Sequence, residues 1–193
     1  MTGPGEVERV FKEAGAILEG HFQLASGLHS PTYWEKFRVL QYPHYTQRLC
    51  ALIAHHFQPE KVQVVAGPTV GGIIIAFEVA RQLGVRAIFA EREGGGRAFK
   101  RSFGVAPGER VLVVDDVLTT GSSIRDVMAE VEKHGGKVAG IGVVVNRAEG
   151  EVDFGVPFFC CHRAVILAYA PEECPLCAAR IPLLKLGSTP ALP

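Results

Sequence analysis

The run over residues 111–123, Val-Leu-Val-Val-Asp-Asp-Val-Leu-Thr-Thr-Gly-Ser-Ser, restricts the fold more than any other part of the chain. Four consecutive aliphatic residues at 111–114 predict a strand buried on both faces, the condition of a parallel sheet covered by helices. Asp115 and Asp116 follow at its carboxyl end, where open α/β sheets hold their ligands. Thr119, Thr120, Gly121, Ser122 and Ser123 then turn into a helical pattern. Backbone N–H groups and a helix N-terminus thereby meet at one place, which favours a phosphate. Carboxylates repel a phosphate but suit sugar hydroxyls, a magnesium ion or a developing cation. The run as a whole predicts a site for a phosphorylated polyol.

The flanking patterns extend this reading. Strands are expected over 62–66, 87–91, 110–115 and 137–146, alternating with helices over 69–83 and 122–134. Such alternation gives an α/β fold with a parallel sheet flanked by helices. A short amphipathic helix at 6–14, strands at 21–24 and 32–40, a helix at 45–57 and a last strand at 158–166 lie outside that rhythm. We read 1–193 as a single domain, with a core over 43–150 and a small hood and tail built from 1–42 and about 155–185. The Gly-Ser-Thr-Pro tail is expected to be disordered.

Charge excludes some functions. Lys plus Arg and Asp plus Glu number 20 each, so no overall positive field draws the chain to nucleic acid or an anionic membrane. Apolar runs are too short to span a bilayer and the N-terminus lacks the pattern of a secretory signal, so a soluble cytoplasmic protein is expected. The 5 cysteines do not suit a secreted disulfide scaffold. Cys174 and Cys177, with Cys160, Cys161 and His162 upstream, could supply metal ligands. A single Cys-x-x-Cys is weak support for zinc, however, and ordinary buried or surface thiols are the favoured reading.

Two further segments carry candidate chemistry. Gly67-Pro68-Thr69-Val70-Gly71-Gly72 ends a strand and opens a helix, but its glycine spacing does not fit a dinucleotide fingerprint. Residues 92–101 combine three consecutive glycines with several cations. Ordering them costs entropy, so the segment is expected to be mobile and to settle over a ligand; an ordinary β-hairpin turn is the alternative.

The 111–123 run resembles the phosphoribosyl pyrophosphate signature of type I phosphoribosyltransferases. Residues 22–34, Phe-Gln-Leu-Ala-Ser-Gly-Leu-His-Ser-Pro-Thr-Tyr-Trp, resemble the hood segment of the orotate phosphoribosyltransferases, and Asn146-Arg147 resembles a place where that family carries an Arg for the substrate carboxylate. The resemblance implies Mg2+-dependent transfer of phosphoribose from phosphoribosyl pyrophosphate to orotate, giving orotidine 5′-monophosphate and pyrophosphate, in pyrimidine biosynthesis and in a homodimer. It implies catalytic roles for Asp115, Asp116, Arg92, Lys100 and Arg101, and a 5′-phosphate site at Thr119, Thr120, Gly121, Ser122 and Ser123. Pyrophosphate contacts fall to Thr69, Val70, Gly71, Arg92 and Arg97, and orotate contacts to Ser26, Gly27, Tyr33, Trp34, Thr119 and Arg147. Magnesium is expected mainly through substrate, with Asp115 and Asp116 as protein ligands. The chain departs from many relatives, which carry Lys where Gly71 and Ala25 stand and an Arg-Lys then Lys-x-His pattern in the loop. Here Glu91 and Arg92 align with the Arg-Lys pair, and Arg97, Lys100 and Arg101 are the expected substitutes. A purine phosphoribosyltransferase, or a non-catalytic regulator that binds phosphoribosyl pyrophosphate and nucleic acid, remains an alternative.

Overall fold

A computed structural model describes residues 5–24, 26–148, 150–164 and 167–186. Ala25, Glu149, the last two residues of the expected strand at 158–166 and the Gly-Ser-Thr-Pro tail lie outside the described residues.

Six strands form the main sheet: β3 (Val64–Pro68), β4 (Arg86–Glu93), β5 (Gly96–Phe99), β6 (Arg110–Leu118), β7 (Lys137–Asn146) and β8 (Phe158–Arg163). Their order is β5-β4-β3-β6-β7-β8, all parallel except β5, which returns antiparallel along β4. After β3 the chain steps outward through helix α4 (Gly71–Leu83) to β4, and after β6 it steps the other way through α5 (Ser122–Lys133) to β7. The direction of winding therefore reverses between β3 and β6, and a crevice opens at the carboxyl ends of these two strands.

The two faces of the sheet bury separate cores. Leu112 and Val114 of β6 join Ile75, Ala76, Val79 and Ala80 of α4 and Leu49, Ile53 and Phe57 of helix α3 (Pro43–Phe57). Val111 and Val113, pointing the opposite way, pack with Ile124, Val127 and Val131 of α5. Period-2 alternation along one buried strand thus serves both layers.

The hood is a two-stranded antiparallel sheet of β1 (Ile17–Gln23) and β2 (His29–Trp34), preceded by α1 (Glu6–Glu13). Three expectations need correction. The strand expected over 32–40 ends at Trp34, and α2 (Phe37–Leu40) follows, with Val39 and Leu40 turned into the core. The last strand belongs not to the hood but to the main sheet, where Val143 faces Cys160 in parallel register. The C-terminal contribution to the hood comes later, through bridges pairing Tyr169 with His29 and Leu184 with Phe22. The glycine-rich segment is a β-hairpin, with Arg92 opposite Arg97, Glu93 opposite Gly96, and Gly94 and Gly95 both at positive φ, as a tight two-residue turn requires. Among the described residues no helix is long and apolar enough to cross a membrane.

Candidate active site

β6 runs on past the aliphatic residues to Leu118, so Asp115 and Asp116 sit inside the strand, 9% and 4% exposed. Their side chains diverge by the strand's alternation. Asp115 Oδ1 accepts the Asp116 backbone N–H at 2.8 Å. Burial, and then the Asp116 charge, push the Asp115 acid up to about 7, partly offset by Lys36 and Arg97. Asp116 meets Lys36, whose ammonium donates to Oδ1 at 2.8 Å. Oδ2 is as near, at 2.7 Å, but off the hydrogen-bond direction, and it stays buried with no hydrogen bond.

The turn after β6 is held by its glycine. Gly121 has φ +80°, and a Cβ there would press on Phe154 Cζ at 3.1 Å. Both facts exclude an ordinary side chain. The turn and the first residues of α5 line a pocket of about 40 Å³ with Asp115, Thr119, Thr120, Gly121, Ser122 and Ser123. Thr120 Oγ1 donates to Ser122 Oγ at 3.2 Å, which keeps the hydroxyls on one side of the turn.

The loop after β3 brings Thr69, Val70 and Gly71 to the same crevice. Gly71 admits the Asp116 carboxylate against its Cα, since a Cβ would run into Oδ2, and a Cβ at Gly72 would lie 3.3 Å from Asp115 Oδ1. Arg97 crosses from the hairpin to join the two loops: Nη1 donates to Thr69 Oγ1 at 3.0 Å and Nη2 to Ser123 Oγ at 3.2 Å. Arg92, Arg97, the hairpin glycines, Ser122, Ser123 and Asp126 line a larger cleft of about 440 Å³. The other two candidate cations are held elsewhere: Lys100 pairs with Glu93 at 3.1 Å and Arg101 with Glu91 at 2.8 Å, hairpin carboxylates in both cases.

Arg147 follows β7, its backbone N–H bonded to Leu118 O at 2.8 Å, one strand over from the aspartates. Its Nε is buried without a partner. Burial lowers the guanidinium's affinity for its proton, and Tyr33 acts against that shift. Tyr33's phenol is pushed up by burial and then Glu35, while Arg147 and Lys36 pull it back. Tyr33, Lys36 and Arg147 therefore share one electrostatic neighbourhood. Trp34, expected beside the base, takes the opposite face of β2: it stacks on His162 with centroids 5.4 Å apart and packs on Phe11 at 4.9 Å. Ser26 and Gly27 lie in the β1–β2 turn, where the Gly27 N–H bonds back to Leu24 O at 2.9 Å. Sequence reasoning missed Lys36. Lys36 lies two residues past the end of β2, where the strand's alternation no longer orients a side chain, so no local pattern marks it.

Comparison with known proteins gives the same grouping. Residues 39–160 match the phosphoribosyl transferase domain family. The chain is 51% identical to the orotate phosphoribosyltransferase of Pelotomaculum thermopropionicum over 183 residues, covering 95% of this chain and 96% of that one. With the orotate phosphoribosyltransferase of Caldanaerobacter subterraneus subsp. tengcongensis it shares 48% identity, again covering 95% and 96%. The crystal structure of orotate phosphoribosyltransferase from Aeropyrum pernix superposes with a TM-score of 0.71 at 28% identity, over 81% of this chain and 93% of that one. On this identity and coverage the chain belongs to the orotate phosphoribosyltransferase family of the phosphoribosyltransferases.

Proposed function

We propose that this chain transfers the phosphoribosyl group of phosphoribosyl pyrophosphate to orotate. A ring nitrogen of orotate forms the new bond to the anomeric carbon as the carbon–oxygen bond to pyrophosphate breaks and the nitrogen's proton passes to the departing pyrophosphate or to water, giving orotidine 5′-monophosphate and pyrophosphate. The observation that carries the choice of base is Arg147, a half-buried guanidinium with an unsatisfied Nε beside Tyr33. A planar fork of donors suits the orotate carboxylate, which purines lack.

The remaining roles follow from charge. The Thr119–Ser123 turn offers N–H and hydroxyl donors to the 5′-phosphate. Asp115 and Asp116 orient ribose hydroxyls and complement positive charge building on the ring. Arg97 serves the diphosphate from between the two loops, with Arg92 beside it, and Thr69, Val70 and Gly71 offer backbone. No protein nucleophile is needed.

Magnesium fits this donor set, because a small hard cation keeps several waters and takes one or two carboxylates plus substrate phosphate oxygens. Asp115 and Asp116 are the protein carboxylates that would hold it, with Asp116 Oδ2 free of a hydrogen bond but 2.7 Å from the Lys36 ammonium that the ion would displace. When bound it would offset charge on the departing diphosphate. Family membership supports a homodimer at work in the cytoplasm on the de novo route to UMP.

The test is loss of orotate absorbance on incubation with phosphoribosyl pyrophosphate and Mg2+, with adenine, hypoxanthine and uracil in parallel. Turnover confined to orotate and dependent on the metal is expected. Turnover of another base with none of orotate would overturn the role given to Arg147.

A further inference from the structure

Away from the crevice, four side chains from distant parts of the chain converge. His21 of β1, His29 of β2, Cys174 and Cys177 of α6 (Pro175–Ala178) bring their ligand atoms within 4.8 Å of one another. His21 Nε2 lies 3.0 Å from His29 Nδ1, 3.5 Å from Cys174 Sγ and 3.7 Å from Cys177 Sγ, and Cys177 Sγ lies 3.3 Å from His29 Nδ1. We propose that these residues bind a zinc ion, and that the metal staples the hood to the C-terminal segment.

The distances fit the chemistry. Zinc bonds of roughly 2.0–2.1 Å to nitrogen and 2.3 Å to sulfur, arranged tetrahedrally, separate the ligands by about 3.3–3.8 Å; the three separations that involve a sulfur, 3.5, 3.7 and 3.3 Å, fall in that range, and the His21–His29 pair, at 3.0 Å, opens by a few tenths of an ångström to admit the ion. A network of hydrogen bonds alone explains the cluster poorly. His21 Nδ1 lies 2.8 Å from Ile181 O, a pure acceptor, so in the neutral imidazole Nδ1 carries the proton and Nε2 is bare. One imidazole lone pair then faces an imidazole nitrogen and two sulfurs. It can accept from one of them, whereas a central cation engages all four donors. The carbonyl that fixes the His21 tautomer is the outer-shell partner that zinc-binding histidines use.

His21, His29 and Cys174 are buried, and Cys177 is at the surface, which leaves a route for the metal. Four protein ligands close the coordination shell, so the site is structural rather than catalytic. The fold explains why a staple is useful. An isolated two-stranded sheet is marginal in water, and among the described residues the hood is also tied to that segment by backbone bonds of His21 and Gln23 to Leu184 and of His29 to Tyr169, and by His21 Nδ1 at Ile181 O. Phe22, beside His21, packs on Tyr33 with ring centroids 5.7 Å apart, so order at the staple passes to the base side of the crevice. Cys160 and Cys161, adjacent in sequence to His162, take no part: Cys161 bonds Leu49 O at 3.8 Å, and burial pushes its thiol up to about 12, an inert core sulfur.

The test uses untagged full-length protein stripped with a chelator and titrated with Co2+, a spectroscopic stand-in for zinc. Saturation at about one equivalent is expected, with visible bands of tetrahedral cobalt and a near-ultraviolet thiolate charge-transfer band, reversed by zinc. Cys177→Ser, at the exposed ligand, should lose the charge-transfer intensity of that sulfur and bind at least tenfold more weakly. Chelator should lower the melting temperature of the parent and leave that of the variant nearly unchanged. Absence of a tetrahedral cobalt spectrum in the parent, or an unaltered spectrum in Cys177→Ser, would overturn the proposal.

Discussion

The Asp116 carboxylate fills the space that a side chain on Gly71 would need. Gly71→Ala should therefore displace Asp116 from Lys36 without touching the remainder of the core. Because a shift of about 1 Å in an active site can cost roughly a hundredfold, kcat/KM should fall by about that factor while the melting temperature changes little. Steady-state kinetics beside a thermal melt would decide it; unchanged kinetics would mean that the position of Asp116 is immaterial.

Lys36 supplies the cation that faces Asp116. Lys36→Met keeps the aliphatic stem and removes the charge, leaving two buried carboxylates side by side. Turnover should drop by roughly 10²- to 10³-fold, the range seen when a preorganised polar partner is removed. Lys36→Arg should recover part of it. Equal losses in Met and Arg variants would point to shape rather than charge.

Arg147→Ala should raise the KM for orotate by roughly 10- to 100-fold, as for loss of a charged hydrogen-bonding partner, and leave that for phosphoribosyl pyrophosphate within a few-fold. Lys at the same place should restore little, since it lacks the planar fork. A similar rise in both constants would move Arg147 out of the base site.

The ligand-free protein should lose stability as pH rises through the range set by Asp115. An unperturbed aspartate titrates near 3.8, and Asp115 in the fold is raised to about 7 by burial and by Asp116. Between those values the folded chain holds a proton that the unfolded chain has released, so the slope of stability with pH is negative there. The contribution is full below about pH 4 and gone above about pH 7. Asp115→Asn cannot titrate, so its melting temperature should gain on that of the parent as pH rises across this window. A pH-independent difference would show that Asp115 is ionised throughout.

Much of the sheet was legible because its signals are local. The aliphatic run of β6, the small-residue turn and the apolar periodicity of α5 each declare themselves within a dozen residues. What escaped depends on which way a side chain turns and which partner it finds, in several cases one distant in sequence. Phe158–Arg163 is a half-exposed edge strand whose pattern is the same whether it lies in a hood or beside β7. The resemblance of the hood segment puts both Tyr33 and Trp34 at the base, yet β2 turns them to opposite faces. Lys36 reads as a solvated surface charge until the fold brings Asp116, 80 residues later, within 2.8 Å. Lys100 and Arg101 had the right charge but nearer carboxylates. His21 and His29 gave no metal signal, since their partner cysteines lie about 150 residues away and only the hood's folding unites them.

Arg97 has a mechanical consequence. One guanidinium grips Thr69 on the loop after β3 and Ser123 at the start of α5, so it latches the two sides of the crevice together. An incoming polyanion need not pull two separate flaps together. On the proposed function it would exchange these hydroxyl partners for phosphate oxygens, and the proposed diphosphate and 5′-phosphate ends of the site would answer to Arg97 as a single jaw.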